Sequence, residues 1–77
     1  MDIKVYSTPS CIYCVKVKDY FKKNQVHFTE YDVSKNQKHA QEMVQKSGQM
    51  GVPVISIGNQ IIVGFDKAKI DKILNLS

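Results

Sequence analysis

Two sulfur atoms carry the most specific chemistry available to this chain. Cys11 and Cys14, the only cysteines among 77 residues, stand as Cys11-Ile12-Tyr13-Cys14. Thiols at this spacing can share a metal, staple the fold or cycle between dithiol and disulfide. A zinc site needs about four ligands. Only His27 and His39 could supplement the cysteines, and they form no ligand-spaced pair, so no metal site is expected. A bridge across two residues is a poor staple, because short closed loops constrain the unfolded chain least. "MDIKVYS" carries no long apolar run before a small-residue cleavage site, so no secretory leader is expected and the reading places the chain in the cytosol. Disulfides there are mostly catalytic or redox-sensing rather than structural. Dithiol redox chemistry is the reading that remains, and a CxxC within a βαβ pattern is a signature for it.

That chemistry needs elements that hold the two sulfurs unequally. "IKVYS" (3–7) is β-branched and aromatic and predicts a first strand. "TPS" breaks it, and Ser10 is the expected cap of a helix that ends near Asn24. Within that helix Cys14, Val17 and Phe21 recur at helical spacing, with lysines elsewhere. "HFTEYDV" (27–33) predicts a second strand. "SKNQ" (34–37) matches a capping box led by Ser34, followed by a helix lined by Ala40, Met43, Val44 and Ser47 and stopped at Gly48. "PVISI" (53–57) and "QIIV" (60–63) flank Gly58-Asn59, a tight-hairpin signal. Asp66 caps a last helix with an apolar stripe at Ile70, Ile73 and Leu74. The order is β-α-β-α-β-β-α. The first two strands are parallel through a right-handed crossover, and the closing hairpin is antiparallel. The fold class is α/β, one domain over residues 1–77 with a four-stranded mixed sheet and three helices. No repeat, linker or low-complexity segment interrupts it.

In this arrangement Cys11 lies in the first turn of the first helix. Free N–H groups there, such as those of Tyr13 and Cys14, point at its sulfur, and the helix dipole favours negative charge. Cys11 is therefore the exposed attacking thiolate. Cys14, one turn further in and more buried, is the resolving thiol that closes the Cys11–Cys14 disulfide.

Composition excludes other classes. The chain is 43% apolar and 23% charged, ordinary for a folded globule. No segment approaches the roughly 20 apolar residues of a membrane span. The net charge is +4 and all eleven basic residues are lysine. They are scattered rather than grouped with aromatics, so no nucleic acid partner is expected. The field suits anionic substrates or acidic partners, and nothing suggests more than a monomer.

"YSTPSCIYC" at the first strand–helix junction, "GVPV" at 51–54 and "VGFDKAKI" at 63–70 together resemble the glutaredoxins, a branch of the thioredoxin-fold family, over essentially the whole chain. The resemblance implies a thioredoxin-like fold and a cis Val52–Pro53 bond, although X–Pro bonds are cis in only about 5–6% of cases. It implies a thiol–disulfide oxidoreductase that reduces protein disulfides and glutathione mixed disulfides. Glutathione is its co-substrate, and no cofactor is tightly bound. Glutathione would lie in a groove beside the cysteines. Tyr13 would flank it, Gln49 would lie near its glycyl carboxylate, and Val52 before Pro53 would offer strand-like hydrogen bonds. Gly64, Phe65 and Asp66 would meet its γ-glutamyl end at the last helix's start. Read without the family, Pro53 merely opens an edge strand, Asp66 is a plain N-cap, Tyr13 a solvent-facing aromatic and Phe65 a core residue.

Three residues depart from the family pattern. Ile12 stands where proline is common, Thr8 where lysine is common, and Gly64-Phe65 where Gly-Gly is usual. A Gly-Phe pair also occurs in the glutaredoxin-like redoxins that serve ribonucleotide reductase and are recharged by thioredoxin reductase. That alternative keeps the same sulfur chemistry with a different reductant. Another alternative is a non-enzymatic module holding an iron–sulfur cluster or zinc.

Overall fold

Residues 2–75 are described by the computed structural model. Seven elements follow one another: β1 (Ile3–Ser7), α1 (Ile12–Lys23), β2 (Thr29–Asp32), α2 (Gln37–Ser47), β3 (Val54–Ile57), β4 (Gln60–Val63) and α3 (Lys67–Leu74). They form one four-stranded sheet in the order β2-β1-β3-β4. β1 runs parallel to β2, with Val5 opposite Glu30, and antiparallel to β3, with Val5 opposite Ile55. β3 and β4 form the antiparallel hairpin, Val54 opposite Val63, turning through Gly58 at φ +59°. The expected element order, mixed sheet and three helices are all present.

The central strands are buried along nearly their whole length, because helices cover both sheet faces. Alternate residues serve different layers. Ile3, Val5, Ile55, Ile57 and Ile62 point to one face and pack with Val17 and Phe21 of α1 and Ile70 of α3. Tyr6 and Val54 point to the other and pack on Met43 of α2. The period-2 alternation of a strand thus feeds two cores at once.

Local structure departs from the sequence expectation at three places. Ser10 does not cap α1. Thr8, Pro9, Ser10 and Cys11 form a turn closed by the Cys11 N–H donating to the Thr8 carbonyl at 3.3 Å, with proline at the second position as such turns favour. Ser10 is used up in that turn, and the cap falls on Cys11, whose backbone is extended at φ −89°, ψ 115°. Ser34 does not cap α2 either. Its N–H and hydroxyl both donate to Oδ1 of Asp32, so an aspartate-led turn absorbs it. Asn36 takes the cap instead, accepting from the N–H groups of Lys38 and His39. β2 and β3 are also shorter than expected. β2 starts at Thr29, which is paired with Lys4 near the start of β1. Pro53, lacking an N–H, stays outside the β3 ladder. Asn24, Gly48 (φ +75°) and Asp66 terminate or start helices as the sequence indicates.

Candidate active site

β1 ends at Ser7, and the Thr8–Cys11 turn then delivers the chain into α1. This places Cys11 at the helix N-terminus, where backbone N–H groups lack intrahelical acceptors. Its sulfur takes one of them: the Cys14 N–H donates to Cys11 Sγ at 3.1 Å. Cys11 therefore caps its own helix with its sulfur, and a negative charge on Sγ strengthens that bond. Cys11 is partly exposed, whereas Cys14 is 0% exposed. Both thiols are free. Burial, reinforced by the contact with Cys11, pushes the Cys14 thiol up to about 12. A backbone contact to Thr8 and the charge of Lys18 act in the opposite direction. The two sulfurs are thus unequal in the sense that dithiol exchange requires. Ile12 and Tyr13 between them are exposed, 70% and 59%, and Tyr13 lies under the Lys16 ammonium, 5.1 Å from its ring centroid.

The sheet brings two further segments to the same end. Tyr6 opposite Val54 and Val54 opposite Val63 set Pro53 and Gly64 level with the end of β1. The Gly64 N–H donates to the Pro53 carbonyl at 2.8 Å. The Val52–Pro53 bond is cis. Pro53 is buried, and Val52 is half-buried against the α2-side core. Gly64 has φ +80°, and an added Cβ would meet nothing within 4 Å. Glycine is suited here by backbone conformation rather than by crowding.

The remaining expected site residues have structural employment as well. Phe65 packs against the α1–α3 core, its ring 5.7 Å from that of Tyr20. Asp66 is exposed and caps α3 by accepting the Lys69 N–H at 3.1 Å. Gln49 is exposed in the α2–β3 loop, its N–H on the Ser47 hydroxyl and its amide turned toward Gly51. The register places Pro53 and Gly64 with the cysteine turn. Gln49 reaches that region only through the loop that leads to Val52. Among the described residues, no three His, Cys, Asp or Glu side chains gather as a metal set, and no helix is long and apolar enough to cross a membrane.

The sequence offers Lys18, with Lys16, as a cation near the thiolate or as a solvated surface lysine; the structure ties it into a cluster with two strands. Ser7, Lys18 and Glu30, from β1, α1 and β2, meet at one carboxylate. The four-residue step from Cys14 to Lys18 on α1 was the available signal.

A parallel–antiparallel sheet with a CxxC at the first strand–helix junction defines a thioredoxin-like fold. A crystal structure of a variant of a thioredoxin-like protein superposes with TM-score 0.93 at 30% identity, covering 99% of this chain and 97% of that one. Within that fold the chain belongs to the glutaredoxin family, whose model, described as Glutaredoxin, matches residues 3–62. It is 49% identical over 72 residues to an uncharacterized glutaredoxin-like 8.6 kDa protein in the rubredoxin operon of Clostridium pasteurianum, covering 94% of this chain and 96% of that one. It is 32% identical over 65 residues to glutaredoxin 3 of Escherichia coli K12, covering 84% and 78%. Family and fold support a thiol–disulfide oxidoreductase role.

Proposed function

We propose that the chain is a glutathione-linked thiol–disulfide oxidoreductase acting through Cys11 and Cys14. The observation that carries this reading is the pair itself: a partly exposed sulfur accepting a helix N-terminal N–H at 3.1 Å, beside a fully buried partner. The Cys11 thiolate attacks the glutathione sulfur of a mixed disulfide. A Cys11–glutathione disulfide forms, and the protein thiolate leaves and takes a proton. A second glutathione thiolate then attacks the glutathione sulfur, releasing oxidised glutathione and regenerating the Cys11 thiolate. For protein disulfides, Cys14 attacks Cys11 Sγ, expels the product thiolate and leaves the Cys11–Cys14 disulfide, which two glutathiones reduce.

The tripeptide would lie across the sheet end. Tyr13 is on one side, the backbone of Val52 before Pro53 offers strand-like pairing, and Gly64, Phe65 and Asp66 receive the γ-glutamyl end. Gln49 serves the glycyl carboxylate. The net charge of +4 favours this anionic ligand. We place the protein in the cytoplasm as a monomer acting on glutathionylated or disulfide-containing proteins. The second reading, a redoxin recharged by thioredoxin reductase, draws on the Gly64-Phe65 pair that stands where Gly-Gly is usual.

The deciding experiment follows NADPH consumption with oxidised protein, supplied either with glutathione and glutathione reductase or with thioredoxin reductase. Turnover with glutathione is expected. Turnover only with thioredoxin reductase would overturn the glutathione reading.

A further inference from the structure

Behind Cys14, three elements converge on charges that the sulfur exchange above leaves unused. Lys18 sends its ammonium to Oε2 of Glu30 on β2 at 2.6 Å. The same oxygen accepts the hydroxyl of Ser7, at the end of β1, at 2.9 Å. Ser7 is buried, and the Lys18 side chain is only 20% exposed. Residues four apart share a helix face, with Cβ atoms about 5–6 Å apart. Lys18 therefore rises from the helix face that buries Cys14, and its ammonium is tied down by a carboxylate that is itself anchored from β1. The charged or titratable groups that bear on the Cys14 thiol are Cys11 and Lys18, and Lys18 alone of the two favours its ionised form. Glu30 is in turn faced by Lys18 and Ser7, with Lys22 more distantly.

We propose that Lys18, held by Glu30 and Ser7, is a positioning residue for ring closure, its charge stabilising the Cys14 thiolate as it attacks Cys11 Sγ. In that step Cys14 gives its proton to solvent. The Cys14–Cys11 sulfur bond forms as the bond from Cys11 to the substrate sulfur breaks. The substrate leaves with the electron pair and is protonated. Glu30 tunes the effect, since its negative charge offsets part of the cation it holds.

The proposal rests on the dithiol reading above, but its test is made on the thiol itself. In C11S protein Cys14 is the sole thiol, and its alkylation by iodoacetamide is followed against pH. A unit charge at about 6 Å changes an ionised fraction roughly threefold at the dielectric of water and about a hundredfold at an effective dielectric near 20, and the opposite charge of Glu30 holds the effect to the lower end, about three- to tenfold. K18M is expected to slow alkylation by that factor below the plateau and move the profile to higher pH, and K18R is expected to restore it. Glu30→Gln keeps one acceptor oxygen for Ser7 and Lys18 but replaces the other with an NH2 donor and removes the negative charge, so it is expected to move the profile to lower pH. In the two-cysteine protein, K18M lowers the ratio of protein-disulfide to glutathione mixed-disulfide turnover. An unmoved K18M profile, a failure of K18R to restore it, or an E30Q shift in the same direction as K18M would each overturn the proposal. Failure of the NADPH assay with glutathione would leave these profiles standing, so the two readings fall separately.

Discussion

Cys14 should be nearly inert to alkylation in the folded, reduced protein. Its thiol is fully buried and pushed up to about 12, burial being the leading cause and the contact with Cys11 the second. Only the thiolate reacts. At about pH 8, a thiol titrating near 12 is ionised to roughly one part in ten thousand, whereas an ordinary cysteine near 8.5 is ionised to about a quarter. Ionisation alone therefore slows Cys14 about two-thousandfold relative to free cysteine, and lack of access slows it further. The assay is a timed iodoacetamide reaction at pH 8, with the two cysteine positions resolved by peptide mass spectrometry. A single adduct, on Cys11, is expected over the period in which free cysteine is consumed. In C11S the sulfur's charge at residue 11 vanishes while burial and a hydroxyl hydrogen-bond partner stay, so Cys14 gains reactivity but remains far below free cysteine. Modification of Cys14 in the wild-type fold within about tenfold of the free amino acid would refute the reasoning. The same shift predicts a sign for stability. A thiol raised by folding contributes stability that is whole below the ordinary thiol range near 8.5 and is lost as pH climbs toward 12. Denaturant midpoints of wild type should therefore fall more steeply than those of C14S between about pH 9 and 12.

Three further outcomes follow from the same structure. C11S should abolish all turnover, whereas C14S should keep glutathione mixed-disulfide turnover and lose reduction of substrates that need ring closure. Equal loss in both variants, measured by NADPH-coupled assay, contradicts the division of labour. Phe21→Ala removes a ring buried between α1 and the sheet and should cost about 3–5 kcal/mol by urea denaturation, a smaller figure meaning that the cavity has collapsed. Glu30 is held below the usual carboxylate range, first by Lys18 and then by Ser7. Its stabilising contribution is present above the ordinary carboxylate value near 4.3 and fades as pH falls through the lowered one. E30Q should therefore flatten the acid limb of stability against pH, with a modest amplitude because the side chain is half-exposed.

What the amino-acid order determined by itself is what depends on near neighbours. The β-branched and aromatic run at 3–7, the short apolar runs around the Gly58-Asn59 hairpin, the stop at Gly48 and the cap at Asp66 are all local, and they set the sequence of elements. The two cysteines and their place between a strand and a helix were equally legible, because CxxC is a contiguous signal. Tertiary structure decided the rest. Ser10 and Ser34 both satisfy a capping pattern, yet competing turns at Thr8-Pro9 and Asp32 consume them, and the caps pass to Cys11 and Asn36. The level of Pro53 and Gly64 with the cysteine turn depends on strand pairing between segments some fifty residues apart. Phe65 could face a ligand or the core, and its ring packs on Tyr20 at the edge of the core while staying partly exposed. The difference between the two sulfurs has the same origin. Spacing made them a pair, but only the closing of sheet and helix over Cys14 buried one sulfur and left the other partly exposed. Desolvation and charge act through space, and the chain order alone does not specify those neighbours.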